Sequence, residues 1–547
     1  MLEGLVQHDH PLTLQHVLGR MRNVYGASEV VTLTDDGTER ATYADVCTRV
    51  DRLANALKSL GVEPGDRVAT FAWNSQRHLE VYLAAPCIGA VLHTLNLRLF
   101  EEQLTYIANH AKDKLVFVDA SVVPLMEKVA PTFETVEHFI VMGDGDAGEL
   151  PNALNYEELL ADQPDTFDYP EVDDRSAAGL CYTSGTTGNP KGVLYSHRSQ
   201  ILHSFGTCLS DAMGLREADR VLPIVPMFHA NSWGIPYAAG LTGCDLIMPA
   251  KFLQAEPLAK LIKDEKVTVS AAVPTIWMDL LRYADENDDV DLSSLRTVIC
   301  GGAAVPLALM RQFQERHGVH IVQAWGMTEM SPLGTVARPP GDISDEDEHW
   351  RYRDRAGRLM PLVEARLMQD DGSEAPWDGE ATGELQVRGP WIASAYYEDP
   401  EGDDKFDDGW LRTGDIASID SRGFVRITDR SKDVIKSGGE WISSVELEGE
   451  LMAHPEVVEA AVIARPDERW TERPLACVVL SEGASATPED LTEHLRARVA
   501  KWWLPEEFAF IDEVPKTSVG KFDKKILRQR LADGDLDTKP VGEKVSH

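Results

Sequence analysis

The sequence predicts an α/β fold: a large N-terminal domain of parallel sheets layered with helices plus a β-rich subdomain, then a small α+β C-terminal domain. Three observations predict it. Strand-like and helix-like apolar patterns alternate from Thr42 to Ala324, the order that builds parallel sheets covered by helices. Between Leu362 and Tyr397 the pattern shortens to strands broken by turns at Asp370-Asp371-Gly372 and Asp378-Gly379. Near Asp429-Arg430 the character changes again, and the remainder has the size of an independent domain. At 547 residues the chain exceeds one ordinary core, so residues 1–429 and 430–547 are expected as two domains.

Taken in order, Val46, Val50, Leu53, Leu57 and Leu60 recur at helical spacing and Gly61 closes the run. Strands are expected at Arg67–Trp73, Ala90–His93 and Leu115–Val118, with helices near Leu79–Ala85 and Glu101–Ala111. After a central loop the alternation resumes, with helices near Glu256–Lys263, Thr275–Ala284 and Pro306–His317. Its strands are Val267–Ala272, Thr297–Cys300 and His320–Ala324. The charged segment Arg338–Arg358 reads as a surface loop. In the last domain helices are expected near Ser443–Ala453 and Pro488–Ala500, strands near Val457–Ala464 and Glu507–Ile511, and a frayed polar tail from Asp533.

Composition narrows the function. Hydrophobic residues make up 43% and charged ones 26%, an ordinary soluble balance. A net charge of −37 argues against nucleic acid or an anionic membrane as a partner, and any phosphate site must be locally basic. The seven cysteines are dispersed without CxxC spacing and sit mostly in apolar runs, which points to buried thiols in a reducing compartment. No apolar run reaches transmembrane length and the N-terminus lacks a signal-type apolar core, so a cytoplasmic protein with no integral membrane segment is expected.

The chemistry is announced by Tyr182-Thr183-Ser184-Gly185-Thr186-Thr187-Gly188-Asn189-Pro190-Lys191-Gly192. It follows a buried-strand pattern. Its glycines permit close backbone approach, and its hydroxyls and Lys191 supply donors and positive charge, a nest for a polyphosphate. Pro190 before the lysine and Gly192 after it rule out a Walker A loop. Further stretches are weak alone. Gly301-Gly302-Ala303-Ala304 follows a strand and could let a flat ring lie on the backbone, or be a mere turn. Trp325-Gly326-Met327-Thr328-Glu329 offers a stacking face and a hard oxygen ligand, although a core Trp and a solvated Glu read as well. Asp415, after Arg412-Thr413-Gly414, could grip two ribose hydroxyls or cap a turn. His229 and Trp233 lie in an apolar stretch, where a satisfied core histidine is the simpler reading. Lys521 closes the loop Pro515–Lys521, where lone lysines are usually just solvated.

What these stretches share is order. In this succession the chain resembles the adenylate-forming superfamily of acyl-CoA synthetases, luciferases and peptide-synthetase adenylation domains, from about Thr42 to about Arg530. It is similar in particular to medium- and long-chain fatty acyl-CoA synthetases, through Val225-Pro226-Met227-Phe228-His229, Lys436–Ser444 and Lys516–Phe522, and to ligases of 3-methylmercaptopropionate. The resemblance implies two steps: a carboxylic acid attacks the α-phosphate of Mg-ATP, and CoA thiol then displaces AMP.

It also implies roles. Thr183, Ser184, Gly185, Thr186, Thr187 and Lys191 would hold phosphates, and Ser184 with Glu329 would position Mg²⁺. Gly302, Ala303, Ala304, Trp325, Gly326 and Met327 would flank the adenine, Asp415 and Arg430 the ribose, and Thr328 the α-phosphate. Lys521 would bridge the two reacting anions. Asp429 would be the hinge of a mobile C-terminal domain whose rotation replaces Lys521 by Lys436, with Gly438, Gly439, Glu440 and Trp441 forming the CoA passage. His229 and Trp233 would line the acyl pocket. Family members often form homodimers, an expectation that rests on the resemblance alone. Two departures stand out: Trp325 replaces the usual Tyr, and Thr471 the usual Gly. Other readings are a short-chain acid ligase, or a non-catalytic nucleotide-binding regulator on the same fold. The regulator would be favoured had Lys521, Glu329 or Asp415 been lost; all three are present.

Overall fold

Helix Tyr43–Ser59 begins where the sequence supplies a reciprocal cap: the Thr42 hydroxyl accepts from the Asp45 N–H, and the Asp45 carboxylate accepts from the Thr42 N–H. Its face of Val46, Val50, Leu53 and Leu57 is buried, which is what the helical spacing predicts. The structure, a computed structural model, describes every residue except 1, 3, 8, 184–188, 370, 431–432, 438–439, 468, 497, 518–520 and 543–547, and the side chains of 400, 401, 403, 440 and 441.

Among the described residues the strands form sheets of fourteen, seven and six strands. In the seven-stranded sheet Arg67–Phe71, Val91–Thr94 and Ala177–Tyr182 are parallel neighbours. Gly192–Ser196 folds back antiparallel on Ala177–Tyr182, so the phosphate-loop candidate joins two paired strands. In the fourteen-stranded sheet Arg220–Pro223, Val269–Ala272, Thr297–Gly301 and Ile321–Gly326 run parallel, covered by helices Ala255–Asp264, Pro274–Glu286 and Leu307–His317. Pairing then turns antiparallel through Leu333–Val336, Gly357–Leu359, Phe424–Arg430, Trp410–Ile419, Gly383–Arg388 and Glu364–Met368. The β-rich stretch therefore continues the large sheet by hydrogen bonding. Strands from Ile435 to Pro540 make the third sheet. No helix among the described residues is long and apolar enough to cross a membrane.

Three sequence expectations need correction. Within Arg338–Arg358, expected as a loop, lies helix Glu346–Arg353, capped by Asp345 with acidic residues in its first turn and Arg351 and Arg353 in its last. Trp350 anchors it, buried between the guanidinium groups of Arg311 at 4.7 Å and Arg353 at 4.1 Å from its ring centroid. High charge concealed one apolar anchor. The tail is not frayed throughout, since Thr538–Pro540 adds to the edge of Glu507–Phe510. Helix Pro488–Arg496 stops short of Ala500, and a single 3₁₀ turn at Lys501–Trp503 follows.

Thr471, where the resemblance leads to an expectation of glycine, has φ 72° at the start of strand Thr471–Leu480. A β-branched residue is strained in this left-handed region, which glycine would adopt without strain. Thr471→Gly is expected to stabilise the C-terminal sheet by about 0.5–1 kcal/mol. Relief of about 1–2 kcal/mol of strain outweighs the extra unfolded-state entropy. A urea midpoint that fell on substitution would refute the strain.

Candidate functional site

The carboxyl ends of the parallel strands open onto one cleft of about 1690 Å³, the place where open α/β sheets receive ligands. Gly301-Gly302 ends Thr297–Gly301, Trp325 ends Ile321–Gly326, and His229 follows Arg220–Pro223. Strand Trp410–Ile419 brings Asp415 to the cleft, and Phe424–Arg430 brings Arg430. The C-terminal domain supplies Lys521 from the other side. A Cβ added to Gly302, whose φ is +85°, would meet Lys521 Cε at 3.2 Å.

These charged groups interlock. Asp415 is 2% exposed, and its Oδ2 accepts from the indole N–H of Trp325 at 2.9 Å. Its Oδ1 lies 3.4 Å from Arg430 Nε. Burial pushes the Asp415 carboxyl up, while Arg430 and the indole N–H pull it down. Desolvation lowers Lys521 to about 8, and the charge of Arg430 adds to that; Asp415 and Glu329 work in the other direction. The loop bearing Lys521 is closed at its neck, where the Thr517 N–H donates to the Lys521 carbonyl at 2.7 Å.

Glu329 is buried and lines the cleft, its Oε1 accepting from the Tyr396 hydroxyl at 2.6 Å. Thr328 beside it lines the cleft too, its carbonyl accepting from Tyr195 OH at 2.6 Å. Lys191 Nζ lies 3.2 Å from Asp399 and 5.0 Å from the Tyr396 ring centroid. The Thr183 N–H donates to the Lys191 carbonyl at 2.9 Å, and the Lys191 N–H to Thr183 Oγ1 at 3.1 Å, so the phosphate-loop candidate is pinned at its base. Ser184, Gly185, Thr186 and Thr187 lie outside the described residues.

His229 and Trp233 line the apolar end of the cleft. Burial, then the charge of Lys521, lowers His229 to about 3, so it is neutral at physiological pH. Trp233 ends a run of positive φ at Ala230, Asn231, Ser232 and Trp233 (42°, 53°, 49° and 54°), with Gly234 at 76°. This turn sets the Trp233 ring edge at Gly301, where an added Cβ would lie 3.5 Å from Cη2. Gly302, Ala303, Ala304, Gly326 and Met327 line the same cleft.

Lys436 is not among these lining residues; its side chain is exposed, on strand Ile435–Ser437 of the third sheet. Gly438 and Gly439, and the side chains of Glu440 and Trp441, lie outside the described residues. Asp429, 1% exposed, accepts from the N–H and hydroxyl of Ser444 at 2.7 and 2.6 Å, so its side chain is tied to helix Ser444–Met452. Sequence reasoning passed over Tyr396, Asp399 and Tyr195. Nothing in their own neighbourhoods marks them as site residues, and only the fold turns them toward Glu329, Lys191 and Thr328.

The model of AMP-binding enzymes matches residues 21–397, and that of their C-terminal domain matches residues 446–521. The chain is 43% identical to a 3-methylmercaptopropionyl-CoA ligase of Ruegeria pomeroyi, over 96% of this chain and 98% of the relative. It is 46% identical to a long-chain-fatty-acid–CoA ligase of Thermus thermophilus, over 95% and 96%. Among solved structures, the anthranilate CoA ligase AuaEII in complex with anthranoyl-AMP superimposes with a TM-score of 0.87 at 28% identity, covering 96% of this chain and 99% of that one.

The desolvated Lys521 gives the cleft a measurable signature. In protein carrying ¹³Cε-labelled lysine, the signal that disappears in Lys521→Arg should titrate with a midpoint near pH 8. A midpoint near the ordinary lysine value of about 10.4 would mean the ammonium is solvated.

Proposed function

The chain belongs to the AMP-binding enzyme family, and on that premise we propose that it is an ATP-dependent acyl-CoA ligase acting on a medium- or long-chain fatty acid. The observation that carries the reading is the convergence of Lys521, Arg430, Asp415 and Glu329 on one cleft floored by Gly301-Gly302. A second acid, a short thioether acid, is favoured by the Ruegeria relative, whose identity of 43% differs little from the 46% of the long-chain enzyme.

In the first step a carboxylate oxygen attacks the α-phosphorus of ATP, the bond to the β-phosphate bridge oxygen breaks, and pyrophosphate leaves. Two anions must meet, and the Lys521 ammonium between them lowers their repulsion in the transition state. Asp415 accepts from ribose hydroxyls with Arg430 beside it, and the adenine lies between the backbone of Gly302 to Ala304 and the Trp325 to Met327 strand end. Thr328 donates to an α-phosphate oxygen, and Lys191 exchanges Asp399 for the outer phosphates. Mg²⁺ fits the donors present. Among the described residues no three His, Cys, Asp or Glu side chains gather as a cage, while Glu329 offers one carboxylate in the cleft. That suits an ion bound through one or two carboxylates, substrate phosphates and water. When bound it supplies neutralisation of phosphate charge. Ser184 would complete its protein ligands.

In the second step the CoA sulfur attacks the acyl carbonyl carbon, the acyl–oxygen bond breaks, AMP leaves, and the thiol proton passes to solvent. Residues 1–429 bind acid and ATP in this reading, and residues 430–547 turn about Asp429 to withdraw Lys521 and present Lys436 with the 438–441 loop. His229 and Trp233 wall the acyl pocket. Seven free thiols, six of them buried, suit the reducing cytoplasm, and a homodimer is compatible with the family.

The reading is tested by a steady-state screen of acids from propionate to palmitate, with a thioether acid included, following AMP and pyrophosphate release. Turnover of none would sink it. Lys521→Ala should lose about 10²–10³-fold in adenylation yet still convert a supplied acyl-adenylate and CoA to thioester. Equal loss in both half-reactions would remove the step-specific role. Trp233→Ala should shift preference toward longer or bulkier acids, and an unchanged chain-length profile would exclude Trp233 as the wall.

A further inference from the structure

We propose that Trp325, beyond presenting a face to the base, is the positioning residue of the ribose carboxylate: its indole N–H orients Asp415. The inference rests on the ribose role given to Asp415 above, and goes beyond it by assigning that carboxylate's geometry to one donor. The contact is direct, Trp325 Nε1 to Asp415 Oδ2 at 2.9 Å. The indole has no freedom to make it elsewhere. Pairing of Ile321–Gly326 with Leu333–Val336 shifts register between Trp325 and Gly326, a bulge of the kind that re-aims a side chain. The six-membered ring then rests on the backbone of Gly334, where an added Cβ would lie 2.7 and 2.8 Å from Cζ3 and Cε3. Any larger residue at 334 would push the ring, and its N–H, away from the carboxylate.

Asp415 needs such a donor. It is 2% exposed, so water is not freely available to fix its plane. Its other oxygen is 3.4 Å from Arg430, a residue whose own side chain is exposed. The indole bears a single donor and no acceptor, so the contact has one polarity: the Asp415 carboxyl oxygen accepts, and its plane is set by that bond. One side chain thereby couples the base shelf to the sugar grip. Phenylalanine would keep the shelf and lose the grip. A tyrosine, usual at this position, would carry its donor at the far end of a single ring and reach a different atom.

The test compares ATP with 2′-deoxyATP and 3′-deoxyATP in the full-length protein, as kcat/KM for pyrophosphate release at saturating acid. Trp325→Phe should lower kcat/KM for ATP about tenfold, mainly through KM, as expected for loss of a hydrogen bond to a charged group. It should narrow the preference for ATP over the deoxynucleotides by a similar factor and leave the KM of the acid unchanged. A benzothienylalanine introduced at position 325 keeps the bicyclic shape without the N–H and should reproduce both effects, which separates the bond from packing. If either substitution lowers activity while keeping the wild-type ATP-to-deoxyATP ratio, the inference is overturned. Asp415→Ala is the control for the underlying reading. If it too leaves the ratio intact, the ribose role of Asp415 fails, whereas a ratio lost only in Asp415→Ala defeats the Trp325 assignment alone.

Discussion

Joining a carboxylate to a phosphate means pressing one anion against another, in a protein that itself carries a net charge of −37. Two unit charges about 4 Å apart at a protein surface repel by about 4 kcal/mol, roughly a thousandfold in rate. A single well-placed cation is therefore of the right size to matter. Two of the cleft's cations are paired, Arg430 with Asp415 at 3.4 Å and Lys191 with Asp399 at 3.2 Å, while Asp415 and Glu329 partly offset the desolvation of Lys521. Pairing of this kind avoids an uncompensated charge within the cleft. In the proposed reaction an incoming phosphate would replace Asp399 beside Lys191 instead of entering a bare positive hole.

The same constraint accounts for the way the chain is divided. An ammonium wedged between two reacting groups obstructs whatever must approach next, so it is best carried on a part that can leave. Lys521 comes from a loop of the third sheet's domain, while Arg430, Asp415 and Glu329, whose charges act on it, come from the large sheet or its connections. The junction between the two is held by the Asp429 carboxylate, which accepts two hydrogen bonds from Ser444 at the start of a helix of the third sheet's domain. If the C-terminal domain turns as proposed, an Asp429 anchored to it by its side chain can change its backbone angles without losing that anchor.

Much of this was legible in the sequence because glycines, threonines and lysines cluster at strand ends. The run from Tyr182 to Gly192 stands out by composition alone, and the strand expected before it is present; the strand Gly192–Ser196 after it, and the pairing of the two, came only with the fold. Asp415, Glu329 and Trp325 were legible only through their order along the chain, since each admits a plain structural reading by itself. What could not be read depends on distant pieces meeting. Tyr396 sits 67 residues from the Glu329 it holds, and Trp325 and Asp415 are separated by 90. The helix Glu346–Arg353 was hidden for a different reason: charge dominates its sequence, and its one anchor, Trp350, is buried by stacking on arginines, not by an apolar stripe.

The left-handed turn from Ala230 to Gly234 shows how far local preference can be overridden. A non-glycine residue in that region costs about 1–2 kcal/mol, and here four occur in succession. Tertiary contacts hold them: Ser232 Oγ donates to the Val225 carbonyl at 2.7 Å, and Asn231 Oδ1 accepts from Tyr82 at 3.3 Å and Cys181 at 3.4 Å. The result is a tryptophan whose ring edge stands at the Gly301 backbone, where an added Cβ would be in van der Waals contact with it at 3.5 Å. Such a hold has a use. A methylene contributes only about 0.8 kcal/mol of burial, so affinity alone separates neighbouring chain lengths by a few fold. Under the acyl-pocket role proposed for Trp233, a wall held in this way would discriminate by exclusion instead, and strain distributed over four residues is a reasonable cost for it.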